Sequence, residues 1–204
     1  VISTIILIMA GSIVRVTGNA LGCPDWPLCH GQAIPPILHQ GAWVEFSHRL
    51  AALAAGSQIV LVLVFAWRYY RNDTWIYRPA LMASILLVVQ MVLGGIHVVI
   101  EITPVTGWIH TANAMLILGL MTGVLTGALI RNNWRLGVAT VMGNRQFTLW
   151  VSIIASAIYL VILSGSYAVG GNVSLACTST ATCANTMTSV RNVAAMISVL
   201  CQVA

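Results

Sequence analysis

Three histidines, His48, His97 and His110, stand inside long apolar runs of the sequence. An ionisable side chain in such a run is costly and tends to mark function. One buried imidazole can simply bond a neighbouring carbonyl, but several at one depth form a ligand constellation. With no thiolate or group of carboxylates close by in sequence, imidazoles suit haem iron better than zinc or calcium. Glu45 lies three residues before His48, so on a helix the two share a face. Its carboxylate either complements a helix N-terminus or enters the same site as a proton acceptor. Arg49 follows directly; it either contacts a haem carboxylate or snorkels to the interface.

A second kind of chemistry sits in GCPDWPLC, where Cys23 and Cys29 are followed at once by His30. The spacing C-x5-C is unlike the closer pairs of zinc sites. A disulfide, free thiols and a redox-active pair are the readings to weigh, and the choice turns on which side of a membrane the segment faces. His30 and His39 fall in the same polar stretch and read as exposed loop residues.

The elements that position these groups follow from composition. Hydrophobic residues make up 59% of the 204 and charged residues 6%, against about 25% charged in soluble domains. The chain is therefore an all-α integral membrane protein: spans must satisfy their backbone internally, and no period-2 alternation suggests a barrel. A span takes roughly 20 apolar residues, which predicts full spans at 43–67, 79–103, 108–130 and 147–170. Partial spans lie at 1–14 and 188–204. The net charge of +5 comes from arginines alone and reports orientation in the lipid bilayer, not nucleic-acid binding. Arg68, Arg71, Arg78, Arg131, Arg135 and Arg145 all fall on one side, which the positive-inside rule makes cytoplasmic. The cysteine loop then faces outward, into an oxidising compartment that favours a disulfide. His48, His97 and His110 all come within roughly 10 Å of the outer interface at the helical rise.

Residues 11–29, GSIVRVTGNALGCPDWPLC, align with 165–183, GSYAVGGNVSLACTSTATC. Cys177 and Cys183 repeat the spacing of Cys23 and Cys29 after a helix of the same direction. That predicts a parallel repeat: an N-terminal four-helix bundle half at 1–131, a cytoplasmic linker at 132–146, and the start of a second half at 147–204. Both ends of the chain fall inside apolar runs, so it reads as part of a longer, eight-helix protein. A transporter built from parallel repeats fits less well, because the ionisable residues cluster at one outer level.

The runs GSIVRVTGNALGCPDWPLCHGQ, VEFSHRLAAL and LGGIHVVIEITPVTGWIHTANAMLI resemble the haem A synthase family of membrane enzymes. The resemblance covers about residues 11–123 well and 163–183 more weakly. It implies a multi-pass protein of a bacterial plasma membrane, with its cysteine-pair loops on the outer face. It also implies oxidation of the C8 methyl of haem O to the formyl of haem A. His48 and His110 would bind the haem iron, Glu45 would sit beside the reacting methyl, and Cys23–Cys29 would be a disulfide over the pocket. A second-half haem b would relay electrons, and haem O synthase or a terminal oxidase assembly would be the partner, in a homo-oligomer or larger complex. His97 matches no family ligand and is kept as a haem contact alongside Arg49. The family places a His-Arg at the start of the sixth helix, where this chain has Val190 before Arg191. That departure keeps open a non-catalytic haem-binding or structural subunit of a respiratory or photosynthetic complex.

Overall fold

The computed structural model describes residues 1–100, 103–131 and 145–170. Cys177, Cys183, the sixth span and most of the 132–146 linker lie outside the described residues. Among the described residues five helices follow in order: α1 (Ile2–Val16), α2 (Gln40–Tyr70), α3 (Thr74–Val99), α4 (Pro104–Arg131) and α5 (Arg145–Gly170). Four of these, α2 to α5, are long and apolar enough to cross a membrane. The chain is an all-α, multi-pass membrane protein. Large apolar side chains such as Leu53, Val88, Val92, Leu149 and Leu160 are exposed on the helix surfaces. In water they would be a liability; in hydrocarbon they are the expected outer face.

The helices begin earlier than the apolar runs suggest, because polar residues start them. Asp73 caps α3 by accepting the Trp75 N–H at 3.0 Å, which places Pro79 inside the helix. Thr103 and Thr106 exchange bonds ahead of α4: the Thr106 N–H donates to Thr103 Oγ1 (3.1 Å) and the Thr103 N–H to Thr106 Oγ1 (3.0 Å). This is the reciprocal logic of a capping box, with threonine at both positions. Pro104, with its fixed φ and missing N–H, suits the first helical position.

Sequential helices pack as antiparallel neighbours, α1 on α2, α2 on α3 and α3 on α4; α1 also meets α4, and α5 lies against α4. The bundle interior is built from small and branched side chains. Ile59, Ala83, Ile117 and Met121 form one buried cluster, and Ala66, Ile76, Ala80 and Val124 a second. Alanines at these contacts let helices approach closely, and van der Waals packing is what holds them where lipid removes the hydrophobic drive. The arginine-rich end is tied by Asp73, whose Oδ2 accepts from Arg131 Nε at 2.5 Å. That bond holds the Asp73 carboxyl below the usual carboxylate range. The opposite end carries the histidines and the cysteine loop.

Candidate functional site

Residues 17–39 fold over the end of the bundle as a compact loop. Cys23 and Cys29 are disulfide-bonded, with an S–S distance of 2.04 Å, and both are buried against Ala42 of α2. Gly22 lies so close to the Gly41 backbone that no side chain would fit between them. Asp25 braces the far side. Its carboxylate accepts the His30 N–H at 2.5 Å and the Gly31 N–H at 2.7 Å, and the Gly31 bond holds its pKa below the usual carboxylate range. The turn it holds needs a left-handed backbone, φ 55° at His30 and 73° at Gly31, which glycine adopts at little cost. His30 also contacts the Gly22 carbonyl through Nε2 at 3.0 Å and stacks on His39 at 4.6 Å. The two loop histidines therefore pair with each other.

Glu45 and Arg49 fasten this loop to α2. Glu45 is buried, and its Oε2 accepts the Cys23 N–H at 2.8 Å. Its Oε1 accepts from Arg49 Nη2 at 2.5 Å and Nε at 3.1 Å. Arg49 then donates to the carbonyls of Asp25 (3.1 Å), Leu28 (2.7 Å) and Cys23 (3.4 Å). Trp26, at the loop's centre, packs on Gly95 of α3. A Cβ at that position would meet the indole ring at 3.3 Å.

Beneath the loop two of the three histidines are in ring contact, and the third lies within electrostatic reach. The His97 and His110 rings lie 4.8 Å apart at 46°, and His110 is within electrostatic reach of His97, His48 and Arg15. His48 fits against Gly11 of α1, where a Cβ would meet its Cε1 at 2.9 Å. His97 is two residues from the end of α3, and His110 is the seventh residue of α4. Their helix ends are staggered, yet the rings meet. His48 Nδ1, His97 Nε2 and His110 Nδ1 are buried without a hydrogen-bond partner. Buried polar atoms are normally paired, so three orphaned imidazole nitrogens in one region fit a ligand that supplies the missing bonds. Among the described residues no three His, Cys, Asp or Glu side chains converge as metal ligands. The arrangement offers imidazoles from separate helices and no closed polydentate cage.

Polar residues other than the histidines, Glu45, Arg49 and the cysteines complete the surroundings. Gln90 of α3 donates to the His110 carbonyl at 3.2 Å and accepts from Asn113 Nδ2 at 2.7 Å. Asn113 also donates to the Leu86 carbonyl at 2.9 Å. These amides lock α4 to α3 beside His110. Arg15 of α1 donates through Nη1 to Thr111 Oγ1 (3.1 Å) and Ser166 Oγ (2.7 Å), joining α1, α4 and α5. A lone amide or guanidinium in an apolar span was the available signal for all of them.

Histidines from α2, α3 and α4 under a disulfide-closed loop define a membrane protein with a cluster of polar groups at one end of its bundle. The chain belongs to the COX15-CtaA family of cytochrome oxidase assembly proteins, whose family model matches residues 1–198. It is similar to the haem A synthases of Bacillus cereus strain 03BB102 and Bacillus anthracis strain CDC 684 / NRRL 3495. Each is 26% identical over 174 residues, covering 85% of this chain and 56% of the relative. The haem A synthase of Bacillus cereus strain AH187 is 25% identical over the same share. The chain thus spans about half the length of these curated relatives. No solved structure matches it.

Proposed function

We propose that this chain is the haem O-binding part of a haem A synthase, and that it takes part in converting the C8 methyl of haem O to a formyl group. The observation that supports this reading best is the gathering of His48, His97 and His110, each with a buried, unpartnered ring nitrogen, under the Cys23–Cys29 loop. Haem O is the substrate, and His48 and His110 are the iron ligands. They come from α2 and α4, so ligation by both would fix the ring plane between two helices. The net change, –CH3 + H2O → –CHO + 4H+ + 4e−, takes its oxygen from water. A haem b held by the second half, or an external acceptor, would supply the sink for these electrons.

Within that scheme Glu45 is the proton acceptor on the His48 face of α2, one helical turn from the ligand. Its carboxylate is also tied to the Cys23 N–H and to Arg49, so a proton taken up there weakens the anchor of the loop. Proton transfer and loop position are thereby linked. Arg49 sets the charge beside Glu45, and His97, against His110, contacts the substrate ring. The Cys23–Cys29 loop faces outward from a bacterial plasma membrane. Haem O synthase supplies the substrate, and a terminal oxidase assembly takes the product.

A second reading, a haem-binding or structural subunit without catalysis, is favoured by Val190 in place of the second-half histidine. Pigment analysis after mild detergent extraction separates the two: haem O or haem A in the purified chain supports the enzyme. The ligand assignment is tested by reduced-minus-oxidised haem spectra of wild type, His48→Ala and His110→Ala. Loss of signal in both variants is expected. Full retention in both would remove the assignment.

A further inference from the structure

Arg15 is the charged group in the described bundle whose bonding is incomplete. Its Nη1 is satisfied by Thr111 and Ser166, while its Nη2 is buried without a partner and pressed against Gly107, where no side chain stands in its way. No described carboxylate neutralises it: Glu45 pairs with Arg49, Asp73 with Arg131, and Asp25 is held by loop N–H groups. Among the described residues this half-buried cation therefore has no carboxylate partner, and such a group is normally paired or functional.

Its place in the fold says which anion it awaits. Gly11 and Arg15 are one turn apart on the same face of α1. Gly11 makes room for the His48 ring, and Arg15 lies one turn nearer the loop. On α4, Gly107 and Thr111, which touch Arg15, flank His110. Arg15 also lies within electrostatic reach of both His97 and His110. A flat, apolar macrocycle at the histidines would direct its carboxylate edge toward the loop end of the bundle, where this guanidinium stands. Arg49, by contrast, has Nε, Nη1 and Nη2 all engaged by Glu45 and loop carbonyls.

We infer that Arg15 is a carboxylate-binding residue, and that its open Nη2 receives a propionate of the haem proposed above. This rests on the haem reading and deepens it: Arg15, through charge-assisted bonding to a carboxylate, selects which edge of the macrocycle faces outward. No covalent step is involved.

The test is binding of iron protoporphyrin IX and of its dimethyl ester to the full chain in nanodiscs, followed by absorbance, with no turnover required. The wild type should bind the diacid at least about tenfold more tightly than the diester, the scale of one charge-assisted hydrogen bond. Arg15→Gln should lose that preference while binding the diester as the wild type does, and Arg15→Lys should keep part of it. Equal affinity of wild type for the two porphyrins overturns the inference and leaves the haem reading standing. A wild-type chain that binds neither overturns both. The wild-type comparison does not depend on any variant folding. Phosphatidylglycerol added to neutral nanodiscs tests the other oxyanion source. If it stabilises wild type but not Arg15→Gln, and esterification is without effect, Arg15 holds a lipid phosphate and the inference falls.

Discussion

Replacing Glu45 with Gln should loosen the cysteine loop far more than it perturbs the bundle. The loop is held at its buried side by the Cys23 N–H bond to Glu45 and by Arg49, which Glu45 orients toward three loop carbonyls. The ion pair is mostly buried, with side-chain exposures of 19% for Arg49 and 7% for Glu45. Removing one partner of a fully buried pair costs about 3–5 kcal/mol. Here Arg49 keeps its carbonyl acceptors and some solvent, and glutamine keeps one oxygen for Cys23. The loss is therefore nearer that of a charged hydrogen bond, about 2 kcal/mol. Both cysteines are buried, so a reductant reaches the disulfide only when the loop opens locally. A loss of about 2 kcal/mol in the closed state raises the open population, and with it the reduction rate, roughly 30-fold. The assay is the rate of Cys23–Cys29 reduction by a small phosphine in detergent, followed by mass spectrometry after alkylation. Arg49→Met should act in the same direction, and the double variant should be less than additive, because each single change removes the same pair. Reduction of Glu45→Gln at the wild-type rate would refute the idea that this carboxylate fastens the loop.

Gly95→Leu should also speed reduction, because Trp26 occupies the space a side chain would need; Gly95→Ala, which asks the indole to move only a few tenths of an ångström, should have a much smaller effect in the same assay. Gln90→Leu should lower thermal stability by about 1 kcal/mol, the scale of hydrogen bonds between membrane helices, because Asn113 and the His110 carbonyl each lose a partner; an unchanged unfolding midpoint would contradict that role. Asp73 has its folded carboxyl held low, first by Arg131, so its stabilising contribution is present above the unfolded value of about 3.9 and lost as pH falls through the lower folded value. Asp73→Asn should therefore be less stable than wild type at pH 7, and the difference in unfolding midpoint should shrink on acidification below about pH 4; a gap that widens in acid would reverse the sign.

The parts of this molecule legible in sequence were those written in hydropathy and in the types of isolated polar residues. Low charge and long apolar runs specify membrane helices because the bilayer leaves the backbone no other way to pair. Three histidines in those runs could be placed near one end by counting residues; there the rings of His97 and His110 meet, and His48 lies within electrostatic reach of His110. Helix ends were read less well, since hydropathy marks where lipid begins and caps mark where a helix begins. Asp73 and the Thr103–Thr106 pair start α3 and α4 ahead of the runs 79–103 and 108–130 that predict them, and TPVT resembles no familiar capping box because threonine stands where glutamate is usual.

Least legible was which polar groups would find partners, for that depends on helix rotation and contact, which spacing along one chain does not encode. Glu45, expected either to complement a helix N-terminus or to enter the histidine site, is bonded through both oxygens, while Arg15, within GSIVRVTGN, is left with an open donor. The difference arises from the loop. Its chain doubles back through the Cys23–Cys29 link, bringing backbone donors and acceptors onto α2 at Glu45 and Arg49, and it leaves the α1–α4 seam to Arg15, Thr111 and Ser166. One short cross-linked segment thus satisfies the charges on one side of the histidines and leaves a charge unsatisfied on the other. A bound macrocycle with a single polar edge would experience that asymmetry as an orientation, its carboxylate edge toward the α1–α4 seam.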